Sequence, residues 1–204
     1  MYLCAVMNES LKSFRKNLTA GKVYRRQELE RWSNAIDRHL GELVKEGDLK
    51  KLSQGLYYAP KKTKFGEAPP DENTLLKGFL QDDQFIVVSP NMYNNLNLGL
   101  TQLYNKTWVY NHKRKGSFTL GNREFEFKLK SSFPNSLSKE YVLVDMLNNL
   151  SELAEDTGTV VAQLKKRVAD YNFENLYEMA TRYGNSMTKK LVKHLHKNNQ
   201  LVYA

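Results

Sequence analysis

The sequence predicts an α+β protein in two parts. Three observations point that way: three short helical patterns run straight into two alternating stretches, a proline-rich break follows at Pro60–Pro70, and a later block passes from strand-like runs to helix. The chain has 204 residues, 41% of them hydrophobic and 26% charged, which is enough apolar sequence for one domain or two small ones. A net charge of +9 favours a polyanionic partner, nucleic acid before acidic lipid or acidic protein.

In the first part, Leu11, Phe14, Arg15 and Leu18 recur at helical spacing, and Gly21 closes the run as a C-cap. Val23-Tyr24 is a short extended piece. Arg25–Trp32 reads as a second helix with Leu29 and Trp32 inward. Ser33 is placed to N-cap a third helix, with Ile36, Leu40, Leu43 and Val44 on one face and Gly47 at its end. Asp48–Leu52 and Leu56–Ala59 then flank a Ser-Gln-Gly turn and predict a ribbon. Three helices and a ribbon in this order give an N-terminal winged helix-turn-helix, expected over residues 8–62. The stretch PKKTKFGEAPP has no periodicity and reads as a linker or a strap lying across a surface.

The second part is expected over residues 71–204, as a domain with a small antiparallel sheet and a helical C-terminal cluster. Asp71–Leu80 is helical and Gln84–Val88 a short apolar strand. Ser89-Pro90 starts another helix. Thr107–Tyr110, Ser117–Leu120 and Arg123–Lys130 read as strands, the last two joined at Gly121-Asn122; Phe125, Phe127 and Leu129 form the inward side of the third. Tyr141–Leu150 is apolar nearly all round and so central. Three later stripes follow: Val160, Val161, Leu164, Val168 and Tyr171; Leu176, Met179, Ala180 and Tyr183; Met187, Leu191, Val192 and Leu195.

Charge is segregated. Residues 1–64 hold 14 Lys+Arg against 7 Asp+Glu, a balance of +7; the remaining 140 hold 17 against 15, a balance of +2. In the winged arrangement, Ser33, Asn34 and Arg38 occupy the start of the third helix, where base edges are reached; Arg pairs with guanine and Asn with adenine. Lys50, Lys51 and Gln54 at the ribbon tip, with Lys22, Arg25 and Arg26 at the mouth of the second helix, are the phosphate candidates. The same lysines could instead protect a sheet edge, and winged helices also serve as protein-interaction modules.

GKVYRRQELERW, AIDRHLGELVKEGDLKKLSQGLYYAP and KFGEAPP, with the later SPNMYNNLNLGLTQ, VLVDMLNNL and MATRYGNSMTKKLVKHL, resemble the AbiEi-type antitoxins of type IV toxin–antitoxin systems. The signal lies in order and spacing, including a Gly55-Leu56-Tyr57 step with Pro60 after it, and covers nearly the whole chain from about Leu11. The resemblance implies a bacterial regulator that binds promoter inverted repeats as double-stranded DNA and represses its own operon. It also implies a C-terminal domain that counters a nucleotidyltransferase-like toxin without a stable complex. Inverted repeats call for two copies, as a dimer in solution or one formed on DNA. Lys165, Lys166 and Arg167, and Lys189, Lys190 and Lys193, are the expected antitoxin surface; Lys189 and Lys193 share a helix face. A stand-alone regulator without antitoxin activity is the alternative.

An enzyme is not expected, nor a cofactor or metal. His194-x-His196 points to two helix faces, and neither a nucleotide-binding loop nor a nucleophile elbow occurs. Asp82-Asp83 has no third carboxylate at suitable spacing, and Glu124 and Glu126 are solvated strand positions. Cys4 is the single cysteine, so no disulfide forms within the chain and a reducing cytoplasm is the expected compartment. No membrane span is expected, and the opening apolar stretch is too short for a signal peptide. Met7 is a candidate true start.

Overall fold

The computed structural model describes residues 10–202, with side chains described to 196; Cys4 and the alternative start at Met7 lie outside the described residues. The described chain is α+β and divides into two units. One runs to Asp83 and takes in Ser117–Glu124; the other comprises Gln84–Gly116 and the chain from Phe125. This differs from the expected domains at 8–62 and 71–204.

In the first unit, helix α1 covers residues 10–16, strand β1 is Val23–Arg25, and helices α2 and α3 are Arg26–Glu30 and Ile36–Lys45. Strands β2 (Lys50–Ser53) and β3 (Leu56–Tyr58) complete an antiparallel sheet in the order β1-β3-β2. Val23 pairs with Tyr58, Tyr24 with Tyr57 and Arg25 with Leu56. Because side chains alternate along a strand, Tyr24 and Tyr57 share one face, and Val23, Arg25, Leu56 and Tyr58 the other. The Tyr24 face meets the helices, in a core of Leu11, Phe14, Leu29, Leu40, Leu43 and Leu49. Trp32 closes this core edge-on to Phe14 and Tyr24.

The opposite face explains the shifted boundary. Helix α4 (Glu72–Leu80) lies against it: a Cβ on Gly78 would stand 2.7 Å from Val23 Cγ1, so glycine permits the approach. The Arg25 guanidinium seals the contact. Its Nε donates to the Gly78 carbonyl at 2.9 Å, and a terminal nitrogen donates to that of Phe79. Tip residues of a later hairpin also belong here: the Gly121 N–H donates to the Leu52 carbonyl at 2.7 Å, and Phe118 lies 5.1 Å from Phe79. Helix α4 thus completes the first core and does not begin the second.

The expected linker is not one. Strands β4 (Lys61–Thr63) and β5 (Gly66–Ala68) pair antiparallel across a Lys64-Phe65 turn. Three-residue strands exposed on both faces show no apolar alternation, which is the signal that periodicity needs.

In the second unit, strands β6 (Phe85–Val88), β7 (Trp108–Asn111) and, from Phe125 on, β9 (Arg123–Leu129) are neighbours; β8 (Gly116–Leu120) precedes β9 and from Ser117 belongs to the first unit. The expectation of an antiparallel sheet fails here: β6 and β7 are antiparallel, but β7 runs parallel to β9. Equal strand patterns do not encode direction. Phe125 and Phe127 are buried, whereas Leu129 is half-exposed at the strand end. Ser89 caps a 3₁₀ helix, Pro90–Leu96, not an α-helix.

Four helices follow: α5 (Lys139–Asn148), α6 (Thr157–Arg167), α7 (Phe173–Tyr183) and α8 (Ser186–Val202). Ser138, Asp156 and Asn172 cap the first three by accepting backbone N–H bonds. Helix α5 is central, with Leu143, Val144 and Met146 fully buried. In α8, Val192 and Leu195 are buried but Met187 is exposed, and Thr188 takes the inward place expected for it.

Candidate nucleic-acid interface

Helix α3 carries the face that the first unit leaves open. It begins at Ile36 with Ala35 as N-cap, two residues later than the sequence suggested. Ser33 is responsible. Its hydroxyl accepts from the Ala35 N–H at 3.1 Å and lies 2.7 Å from Nδ1 of buried His39, so Ser33 is buried and internally bonded. It closes the turn before α3 and leaves the set of base-contact candidates.

The outward positions of the helix are Asp37, Arg38, Gly41 and Lys45, and Asn34 lies exposed in the turn before it. Asn34, Arg38 and Lys45 are exposed, with no hydrogen bond or ion pair among the described residues. Asp37 is different. The Arg26 guanidinium grips it bidentately, with Nε and a terminal nitrogen each 2.8 Å from a carboxylate oxygen, and also pairs with Glu30. That bond holds the Asp37 carboxyl below its ordinary range, and the same carboxylate raises the Arg26 pKa. Arg26 therefore ties α2 to α3 and neutralises Asp37, leaving Glu42, half-exposed four residues after Arg38, as the other acid on the polar side of the helix; Arg26 is not a free phosphate contact.

Arg25 is removed from the phosphate set by strand alternation, which turns it to α4. Lys22 is exposed, its ammonium 4.9 Å from the Tyr24 ring centre. The ribbon lysines are not at the tip. Lys50 and Lys51 pair with Tyr58 and Tyr57 at its base, and the tip is Gln54-Gly55. The Gly55 carbonyl accepts from the Arg26 N–H at 2.9 Å, so this short turn folds onto the start of α2. Lys50 is paired with Glu67 at 2.6 Å, while Lys51 and Gln54 are exposed. The open set is thus Lys22, Asn34, Arg38, Lys45, Lys51 and Gln54.

Gly41 escaped the sequence reading. It sits mid-helix and exposed, where a Cβ would meet nothing within 4 Å. A helical glycine costs roughly 1 kcal/mol relative to alanine, and no internal packing accounts for this one. The periodic pattern gave the signal: glycine falls on the polar face, where any side chain fits.

In the second unit, Lys189 and Lys193 line a cleft of about 170 Å³ with Tyr177, Ala180, Thr181 and Val192; Lys190 is exposed beside it. Lys165 and Lys166 are exposed at the end of α6. Arg167 is internally engaged, to Asp170 at 2.9 Å and to the Asn97 carbonyl at 2.8 Å, and holds α6 to the 3₁₀ segment.

The sequence did not point to the buried polar centre around Asp145. This carboxylate, 1% exposed, accepts from Tyr93 at 2.7 Å, Tyr110 at 2.9 Å and Lys130 at 3.0 Å. Asn149 donates to the Tyr110 hydroxyl at 3.2 Å. Burial, with the Asp145 charge beside them, pushes both tyrosine pKa values up. All three groups that meet Asp145 are satisfied, as a structural network requires.

No group of three or more His, Cys, Asp and Glu able to hold a metal occurs among the described residues. His112 is bonded to the Lys130 carbonyl and stacked on Phe133; Glu126 accepts from Trp108 Nε1. Among the described residues no helix is long and apolar enough to cross a membrane.

In fold, the chain is similar to a solved structure, the RV2827C protein from Mycobacterium tuberculosis, with a TM-score of 0.54 and 15% identity over 91% of this chain and 74% of that one. At that identity the likeness is one of fold alone. No family model matches the chain, and no curated protein matches it significantly.

Proposed function

We propose that the first unit contains a winged helix-turn-helix that binds duplex DNA, with α3 in the major groove. The observation that carries this reading is the open face of α3. The side chains of Arg38 and Lys45, with Asn34 in the turn before the helix, stand there without internal partners, Asp37 is neutralised by Arg26, and Gly41 leaves room for close approach. The order α1-β1-α2-α3-β2-β3 and the β1-β3-β2 sheet support the motif. The concentration of positive charge in residues 1–64 supports a polyanion as partner.

The resemblance to AbiEi-type antitoxins extends the proposal. The chain represses its own operon by binding inverted repeats in the promoter, and its second unit counters a nucleotidyltransferase-like toxin without a stable complex. Lys189 and Lys193, together at one cleft, are the favoured antitoxin surface, with Lys190 beside them; Lys165 and Lys166 remain candidates, and Arg167 serves its own unit.

The experiment is a salt titration of duplex binding by the full chain, on DNA from upstream of its own coding sequence and on a scrambled duplex. Steep weakening with salt and a preference for the native duplex are expected. Binding that is insensitive to salt, or equal on both duplexes, contradicts sequence-specific recognition. Co-expression of Lys189→Glu/Lys193→Glu with the toxin tests the second half; full protection by that variant removes this surface from the mechanism.

A further inference from the structure

The ribbon β4–β5 is built outward. Lys61 pairs with Ala68, Lys62 with Glu67 and Thr63 with Gly66, and every residue from Lys61 to Glu67 is exposed. An isolated two-stranded ribbon is marginal in water. This one is fixed at both ends. At its root the Tyr58 hydroxyl donates to the Ala68 carbonyl at 2.9 Å, and Lys50 grips Glu67 at 2.6 Å. At its tip the Thr63 hydroxyl donates to the Gly66 carbonyl at 2.7 Å and accepts from the Phe65 N–H at 3.2 Å. Gly66, at φ 107°, allows the chain to turn there.

That fixed tip holds out Phe65, whose exposure of 102% means that it touches nothing. Around it the side chains of Lys61, Lys62 and Lys64 have no hydrogen bond or ion pair among the described residues. A lone exposed phenyl ring is ordinary. A phenyl ring at a locked turn, among three unpartnered lysines within four residues, is matched to a surface that is anionic outside and apolar within. Duplex DNA is such a surface: phosphates line the groove and the faces of the bases lie beneath. One phenyl and three ammonium groups make a weak anchor alone, so the ribbon suits a partner already held elsewhere on the same unit.

We propose that the β4–β5 ribbon is a second DNA contact, its lysines on phosphates and Phe65 seated in the minor groove. This rests on the reading of α3 as the specific contact and assigns the ribbon the sequence-independent share.

The test uses the full chain with Lys61→Ala/Lys62→Ala/Lys64→Ala, Phe65→Ala and Lys61→Arg/Lys62→Arg/Lys64→Arg. Each lost phosphate contact should flatten the slope of log K against log salt by about 0.9, so the alanine triple variant should lose roughly two to three units of slope. It should weaken native and scrambled duplexes alike, and the arginine triple variant should keep the wild-type slope. Phe65→Ala should weaken binding about tenfold, a wedge of about 1.4 kcal/mol. Thermal unfolding should not move, because these side chains bury nothing. An unchanged slope with the native preference intact overturns the ribbon contact and leaves α3 standing. A wild-type chain that binds no duplex overturns both. Binding to anionic vesicles that Phe65→Ala abolishes, with the duplex slope unchanged, assigns the ribbon to lipid and overturns the proposal.

Discussion

The two units use charge in opposite ways. In the second, Asp145 is drawn inward, where both its oxygens accept bonds from Tyr93, Tyr110 and Lys130. In the first, charges stay outside, and the internal pairs leave a remainder: Arg25 holds α4, Arg26 holds Asp37, Lys50 holds Glu67, and Arg38, Lys45 and Lys51 hold nothing among the described residues. A charge consumed inside the fold acts on stability; a charge left over is open to the proposed DNA partner. Substituting a consumed charge should therefore move stability and spare binding.

The largest effect is expected at Asp145. Asp145→Ala leaves two buried tyrosine hydroxyls without their acceptor, each costing about 1–3 kcal/mol, for a loss near 3 kcal/mol. Chemical unfolding should show it, while duplex binding at low temperature is retained. Equal loss of both would mean that the division of roles is false.

Arg25→Ala comes next. Charge-assisted bonds to the Gly78 and Phe79 carbonyls are worth about 1.5–3 kcal/mol, so the first unit should unfold earlier. With the protein still folded, the salt slope of DNA binding should not change; a slope flattened by one contact would return Arg25 to the phosphate set.

The tyrosines give a pH dependence. Folding raises both pKa values above the ordinary 10.0, so the native state keeps protons that the unfolded chain releases. Their contribution is complete below pH 10 and is lost as pH rises beyond it, at about 1.4 kcal/mol per pH unit for each group while the native tyrosines stay protonated. Tyr93→Phe should make the alkaline decline shallower; an unaltered decline would point to other groups.

The smallest effect is the sharpest. Gly41→Ala should raise stability by up to about 1 kcal/mol and yet weaken duplex binding. A variant that gains stability and binds as before would show that the glycine makes no room for a groove.

These contrasts also mark what the sequence could convey. Helical spacing located α1 to α3, and alternation located β2, β3 and β9, because each of these buries one face. Alternation also held information that was not used: Val23 and Arg25 share a strand face, so an inward Val23 turns Arg25 inward. The start of α3 was misplaced because Ser33 has the chemistry of an N-cap, and its bond to His39 is a tertiary fact. The β4–β5 ribbon was invisible because it buries neither face, and the parallel pairing of β7 with β9 because pattern carries no direction. Asp145, a lone acid in an apolar helix, was legible as an oddity; its partners come from β7, the 3₁₀ segment and Lys130 just past β9, and could not be read locally.

The most direct measurement is the affinity of the full chain and of Arg38→Ala for the native promoter duplex and its scrambled counterpart, at matched salt. Arg38 engaged bidentately with a base predicts a loss of about 1–3 kcal/mol on the native duplex, little change on the scrambled one, and relaxed preference at one position. An equal loss on both duplexes, or none on either, would contradict base recognition by α3.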